Sequence, residues 1–198
     1  MKLIIASNNA HKIQEIKEIL SGKFSEILSL KEAGVCHETI EDGSTFLENS
    51  RKKAREISAL TGCAALADDS GLCVDALDGA PGIFSARFAG EDSPALRDSA
   101  NNALLLSKLS GKENRRAHFT CAMTLVYPDG RELVAEGHTY GVILQEEVGN
   151  GGFGYDPIFF SDDLQKSFGV ATAEEKNAVS HRYRALQAML QQWREAGV

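Results

Sequence analysis

The chain has 198 residues, with 21 Lys plus Arg against 28 Asp plus Glu, a formal net charge of −7, 43% hydrophobic and 25% charged residues. This is the composition of a globular protein with a sizeable core, which excludes intrinsic disorder, and the acidic balance argues against a nucleic-acid backbone or an anionic membrane surface as partner. No apolar run approaches the ~20 residues that span a bilayer, and the short apolar run in MKLIIASNNAHK meets polar residues too early for a signal-peptide core.

The first predicted unit is strand, turn, helix. Lys2 to Ala6 reads as a short buried strand, and Ser7, Asn8 and Asn9 as a polar turn with a good helix N-cap. Ile13, Ile16, Ile19 and Leu20 then recur at helical spacing, with Gly22 as the C-terminal stop. A second helix starts near Thr45, because Thr45 and Glu48 match the capping-box pattern T-x-x-E, and Gly62 follows its end. Cys63 to Ala67 reads as a short apolar strand that stops at Asp68-Asp69-Ser70-Gly71. Gly79-Ala80-Pro81-Gly82 is a tight turn, and a helix covers Ala95 to Leu109.

Further along, Phe119, Cys121, Met123, Leu125 and Tyr127 alternate with His118, Thr120, Ala122, Thr124 and Val126, the period of a long strand. Pro128-Asp129-Gly130 turns the chain, and Glu132 to Leu144 is the antiparallel partner. A glycine-rich loop from Gly149 to Gly154 precedes a last helix from about Ser180 to Glu195, with Leu186, Met189, Leu190 and Trp193 on its buried stripe. Strand–helix units followed by a hairpin indicate an α/β protein with a mixed twisted sheet flanked by helices. A pure Rossmann fold is disfavoured, since no GxGxxG follows the first strand. None of the four cysteines, Cys36, Cys63, Cys73 and Cys121, forms a CxxC pair, so a zinc ribbon is excluded. The even count allows two disulfides, but a chain this size does not need them; the four read as reduced small core residues, which points to the cytoplasm.

Four segments carry the types of residue that do chemistry. Ser7-Asn8-Asn9-Ala10-His11-Lys12 runs from a strand into a helix, where backbone N–H groups favour an anion and a bound phosphate would suit Lys12; the plain alternative is a capped helix with a solvated lysine. Asp68 and Asp69 end a buried strand, where a hard cation such as Mg²⁺ would relieve their repulsion; the alternative is an acidic turn. Glu41-Asp42-Gly43 is a second, weaker acidic turn before the basic helix. In Gly149-Asn150-Gly151-Gly152-Phe153-Gly154-Tyr155-Asp156-Pro157, glycines permit close backbone approach, Phe153 and Tyr155 offer rings to stack on a flat ligand, and Asp156 accepts hydrogen bonds from a base or orders the loop; the alternative returns both rings to the core. Lys176 and Ser180-His181-Arg182 place cations at a helix start, where they make sense facing an anion or a carbonyl-rich ligand; the alternative is ordinary surface residues. There is no G-x-x-x-x-G-K-[ST], so a triphosphate must be held another way.

Taken in order, SNNAHK, EDGSTFLENS, ADDSGL, GAPGIFSARFAG, GGFGYDPIF and EEKNAVSHR resemble the Ham1-like family of inosine triphosphate pyrophosphatases over essentially the whole chain. The resemblance implies a single two-lobed domain over residues 1–198 with an active cleft between lobes, and a homodimer; the acidic charge speaks against a nucleic-acid or membrane partner. It implies that Ser7 to Lys12 (Ser7, Asn8, Asn9, Ala10, His11, Lys12) form the substrate loop with Lys12 on the phosphates. It gives Asp69 both metal and general-base roles, Ser70 an adjacent substrate contact, and Glu41 a second metal-site role beside it. Phe153, Gly154, Tyr155 and Asp156 match the nucleotide-binding loop, and Lys176, His181 and Arg182 the remaining substrate contacts. The family's first loop is often T-G-N or T-N-N where this chain has Ser7-Asn8-Asn9, a departure that leaves Lys12 in place.

The implied activity is Mg²⁺-dependent hydrolysis of deaminated purine nucleoside triphosphates (ITP, dITP, XTP) to a monophosphate and pyrophosphate, which cleanses the nucleotide pool. Lys12 would supply positive charge, with Lys53 a weaker candidate. A donor such as Arg182 or a backbone N–H would pair with the 6-oxo group and reject adenine's amine, while rejection of GTP needs a separate exclusion of its 2-amino group. Two rival readings are a pyrophosphatase for modified pyrimidine triphosphates and a non-catalytic nucleotide sensor. The adjacent Asp68-Asp69 pair argues against the sensor.

Overall fold

A computed structural model describes residues 2–195. Strand β1 (Lys2–Ile5) is followed by helix α1 (Ala10–Ile19). Leu3 and Ile5 join a core cluster with Ile16, Leu20, Leu186 and Met189, whereas Ile4 joins a second cluster with Leu30, Ala54 and Ile57. A strand covered on both faces needs apolar residues at every position, which is why LIIA reads as a run rather than an alternation. Strand β2 (Glu26–Ser29) pairs parallel with β1, Lys2 opposite Glu26. Helix α2 (Phe46–Thr61) starts where the sequence placed it, with Thr45 accepting the Glu48 N–H, and stops at Gly62, whose φ of +63° is left-handed. The Glu48 carboxylate accepts from Ser44 N–H and Oγ instead of reaching back to Thr45, so only half of the expected capping box forms.

Strand β3 (Ala64–Val74) pairs parallel with β1 on its other side. It corrects the sequence expectation of a strand that stops before Asp68: the ladder runs on through Asp68, Asp69 and Ser70, overriding the turn propensity of Asp-Asp-Ser-Gly. A 3-10 segment, Gly82–Arg87, and helix α3 (Pro94–Lys108) follow. Strands β4 (Arg116–Val126) and β5 (Glu132–Ile143) are sheet neighbours, and the turn between them is closed by Tyr127 N–H on Arg131 O and Gly130 N–H on Tyr127 O, both at 2.9 Å. Strands β6 (Phe159–Ser161) and β7 (Lys166–Ser167) continue antiparallel from β5. Helix α4 (Ala173–Val179), with a complete capping box between Thr172 and Glu175, precedes α5 (His181–Glu195).

Among the described residues, seven strands run in the order β2-β1-β3-β4-β5-β6-β7, a mixed sheet as expected from the sequence. The chain divides into two compact units. The first comprises the residues up to Asp69, Cys121–Gly137, and those from Arg182 on; the second comprises Ser70–Thr120 and His138–His181. The first has two core clusters, one on each side of β1. The second has one, built from Leu72, Leu105, Phe119, Ile158, Phe159 and Phe168 among others. All four cysteines are free thiols. Among the described residues, no helix is long and apolar enough to cross a membrane.

Candidate active site

In the first unit, the site grows out of the two-residue period of β3. Ala64 and Leu66 share the cluster of Ile16 and Leu186, while Ala65 and Ala67 share that of Ala54 and Ile57. Two residues on, the same alternation sends Asp68 and Asp69 to opposite faces and to different helices.

Asp68 is fully buried and meets α1 and α5. Its Oδ2 lies 2.9 Å from Lys12 Nζ and 3.4 Å from both Nε and Nη2 of Arg182. The Nη1 of Arg182 donates to Glu15, which sits three residues after Lys12 on α1. Burial alone would raise the Asp68 pKa, but Lys12, Arg182 and Lys53 hold the carboxyl well below the usual range. The Oδ1 of Asp68 is buried with no hydrogen-bond partner. Arg182 is 1% exposed.

Asp69 meets α2. Asn49 Nδ2 donates to its Oδ2 at 2.9 Å, and Lys53, four residues further along the helix, places Nζ 3.8 Å from Oδ1 and 2.5 Å from Glu41 Oε1. Asn49 Oδ1 accepts the Gly43 N–H at 2.9 Å, which ties the Glu41-Asp42-Gly43 segment to the same helix turn. Burial pushes the Asp69 carboxyl up, and Lys53, Lys12 and the Asn49 hydrogen bond offset that only in part. Burial would lower the Lys53 pKa, yet attraction to Asp69, Asp68 and Glu41 raises it. Ser70 follows in β3, half-buried.

The loop before α1 is organised by side chains. Ser7 Oγ accepts the Asn9 N–H, and Asn9 Oδ1 accepts from His11 N–H at 3.0 Å and Lys12 N–H at 3.2 Å. The sequence had left these amides open to an anion; the Asn9 cap takes two of them, and Lys12 itself reaches Asp68. Asn8, Asn9, Ala10 and His11 are exposed.

In the second unit, Lys176 Nζ lies 2.6 Å from Asp156 Oδ2 and 4.3 Å from the centroid of the Phe153 ring. The same Asp156 oxygen accepts the Phe153 N–H at 2.8 Å. The glycine loop thus holds an aromatic face next to a carboxylate–ammonium pair. Tyr155 does not stand beside Phe153 as a second stacking ring: it is 4% exposed in the core, its hydroxyl donating to Ser85 O at 2.9 Å. His181 is also buried, stacked on Phe119 with centroids 5.0 Å apart.

Glu15 and Asn49 were not singled out in the sequence. The signal for each was its helical spacing, three residues after Lys12 and four before Lys53. Among the described residues, no three His, Cys, Asp or Glu side chains are arranged as a metal cage. Asp69 and Glu41 nevertheless flank a single ammonium, and Asp69 is short of positive charge. Two hard oxygen donors with such a deficit fit a divalent ion that takes its remaining ligands from water and substrate.

Carboxylates and lysines thus gather at a buried strand in one unit, and an aromatic ring stands beside an Asp–Lys pair in the other. The Ham1 family model matches residues 3–192, and the chain belongs to that family. It is 50% identical over 196 residues, covering 95% of each chain, to a protein of Clostridium perfringens named dITP/XTP pyrophosphatase. A protein of Desulforamulus reducens with the same name is 47% identical over 193 residues, covering 96% of this chain and 94% of that one. The structure of the Staphylococcus aureus Ham1 protein superposes with a TM-score of 0.87 at 38% identity and covers 100% of both chains.

The loop packing makes a differential prediction. At Gly152, with φ +72°, an added Cβ would come within 2.8 Å of Asp156 Cβ and Cγ and nearer still to Oδ2, whereas at Gly154, with φ +62°, it would meet nothing within 4 Å. Gly154→Ala should cost about 1 kcal/mol of backbone strain, and Gly152→Ala about 2–4 kcal/mol once overpacking is added. Urea unfolding of the two variants checks this; equal midpoints would contradict the close fit of Asp156 over Gly152.

Proposed function

We propose that the chain hydrolyses deaminated purine nucleoside triphosphates, ITP, dITP and XTP, between the α and β phosphorus, releasing a monophosphate and pyrophosphate. The observation that carries this reading is the environment of Asp69: a buried carboxylate oriented by Asn49, raised in pKa, and flanked by Lys53 and Glu41. The near-full-length similarity to proteins named dITP/XTP pyrophosphatase supports the same substrate class.

Phosphoryl transfer asks the protein mainly for positioning and charge neutralisation. Asp69 orients the attacking water and accepts its proton, with Asn49 fixing the orientation of the carboxylate. Lys12 and Lys53 supply positive charge to the phosphates, and Ser7, Asn8, Asn9, Ala10, His11 and Ser70 complete the family's substrate loop. Mg²⁺, held by Asp69 and Glu41, would add charge neutralisation on the phosphate oxygens. The base lies on Phe153, and the Lys176 ammonium, steadied by Asp156, donates to the 6-oxo group. Adenine's amine presents a donor where the 6-oxo group presents an acceptor, so it meets the ammonium donor to donor and is disfavoured. Arg182, whose donors meet Asp68 and Glu15, serves by holding Asp68 and so Lys12. His181 completes the family's set of contacts from the start of α5. The same reading makes the protein a cytoplasmic homodimer, in keeping with its free thiols. On the same reading the two units belong to one domain over residues 1–198.

Product analysis tests the reaction. Incubation with Mg²⁺ and, separately, ITP, XTP, dITP, GTP, ATP and dUTP should yield monophosphate and pyrophosphate from the first three, with ATP and GTP largely spared. Diphosphate with orthophosphate would move the attack to the γ phosphorus and refute the proposal; preferred turnover of dUTP would move the enzyme to pyrimidines, and binding without turnover would make it a sensor. Asp69→Asn should lower kcat by about 10²–10⁴-fold with circular dichroism unchanged. Because the Asn49 N–H stabilises the ionised Asp69, Asn49→Ala should raise that pKa further, and the acid limb of the kcat/KM profile should move to higher pH. An unmoved limb would show that Asp69 ionisation does not govern the rate.

A further inference from the structure

The loop carrying Phe153 and Asp156 has one joint that its own side chains do not hold. Phe153 N–H is fixed by Asp156, and Tyr155 is fixed through its hydroxyl on Ser85 O. Between them lies Gly154, in the left-handed region at φ +62°, the residue type with the most backbone freedom to lose. Helix α3 supplies what is missing. Asp98 Oδ2 accepts the Gly154 N–H at 2.7 Å, and Asn102, four residues later on the same helix face, donates from Nδ2 to Gly154 O at 3.2 Å. These two groups belong to the peptide planes on either side of the Gly154 Cα, so together they fix both of its dihedrals.

The helix is itself anchored. Asn101 Nδ2 donates to Ser85 O at 3.1 Å, the carbonyl that also receives the Tyr155 hydroxyl, and Asn101 Oδ1 accepts the Ala89 N–H at 2.8 Å. Asn102 is 3% exposed, with Nδ2 also donating to Glu147 at 2.9 Å. A buried asparagine amide divided between a loop carbonyl and a carboxylate is a costly element to retain for packing alone.

We infer that Asp98 and Asn102 are positioning residues for base recognition: they clamp the peptides flanking Gly154 so that Phe153 and the Asp156–Lys176 pair are held ready before the purine arrives. This rests on the assignment of that loop to the base. Neither residue touches substrate; each lowers the ordering cost that the loop would otherwise meet on binding. Their loss weakens nucleotide binding and leaves chemistry at the phosphates alone. Asp98 is exposed on α3, so its side chain can be truncated without opening the core.

The test uses Asp98→Ala and Asp98→Asn in the full chain, the asparagine retaining an oxygen that accepts the Gly154 N–H. Three readouts are taken: amide hydrogen exchange over residues 152–156, the Kd of inosine 5′-monophosphate by calorimetry, and kcat on ITP. The alanine variant should exchange about tenfold faster at Gly154 and bind the monophosphate about five- to tenfold more weakly, with kcat within about twofold of wild type; the asparagine variant should restore both. Unchanged exchange, unchanged Kd, a fall in kcat alone, or an asparagine variant no better than alanine would each overturn the inference. Wild-type protein that binds the monophosphate but does not turn over ITP, dITP or XTP refutes the enzymatic reading, and the clamp is then decided by exchange and Kd. Wild-type protein that does not bind it overturns both.

Discussion

One buried carboxylate organises the first unit. Asp68 lies wholly inside, and its charge is tolerated only because Lys12 and Arg182 converge on it, with Glu15 engaging the far side of the guanidinium. Isolated, such an ion costs several kcal/mol in desolvation, and removing one member of a buried set typically destabilises by about 3–5 kcal/mol. The network therefore ties together β3, α1 and α5, elements drawn from opposite ends of the chain. It also decides where Lys12 stands, because a long flexible side chain aimed at a fixed charge has little freedom left.

The neighbouring Asp69 is the converse case. It is the next residue on the same strand, yet the pleat turns it to the other face, where an asparagine N–H at 2.9 Å and a lysine 3.8 Å away are among its partners. One carboxyl is overcompensated and held ionised; the other is undercompensated and raised. Two identical side chains one residue apart thus acquire different chemistry from their surroundings. The undercompensated one is the group with something to gain from a cation and from a proton, while the overcompensated one ties Lys12 and Arg182 together. Asp156 repeats the structural role in the second unit, with a single oxygen holding Lys176 and the Phe153 amide.

Much of this was legible in the chain. Thr45 and Gly62 marked both ends of α2, the alternation from His118 to Tyr127 marked β4, and the Pro128-Asp129-Gly130 turn marked the hairpin. The short elements were not legible: β2, β6, β7 and α4 have between two and seven residues, too few for a period to register. Asp68-Asp69-Ser70-Gly71 misled for a different reason. Its composition is that of a turn, and only the helices on each side of the strand supply the cations that let two carboxylates stay in a ladder. Tyr155 misled likewise, since a ring in a glycine-rich loop carries no mark of whether it faces a ligand or the core, and the Ser85 carbonyl that claims it lies 70 residues away.

The sequence by itself determined the order of the main strands and helices and the mixed α/β character, and marked the segments with candidate functional residues, because caps, turns and hydrophobic periods are local and each is set within a few residues. Tertiary structure alone decided the contacts inside those segments: that Arg182 is a buried anchor, that Lys53 joins Glu41 and Asp69, that Asn49 donates to Asp69, and that α3 holds Gly154. These are contacts between residues from 12 to 167 positions apart. Charge, burial and hydrogen-bond geometry at such separations exist only once the sheet has brought the partners together.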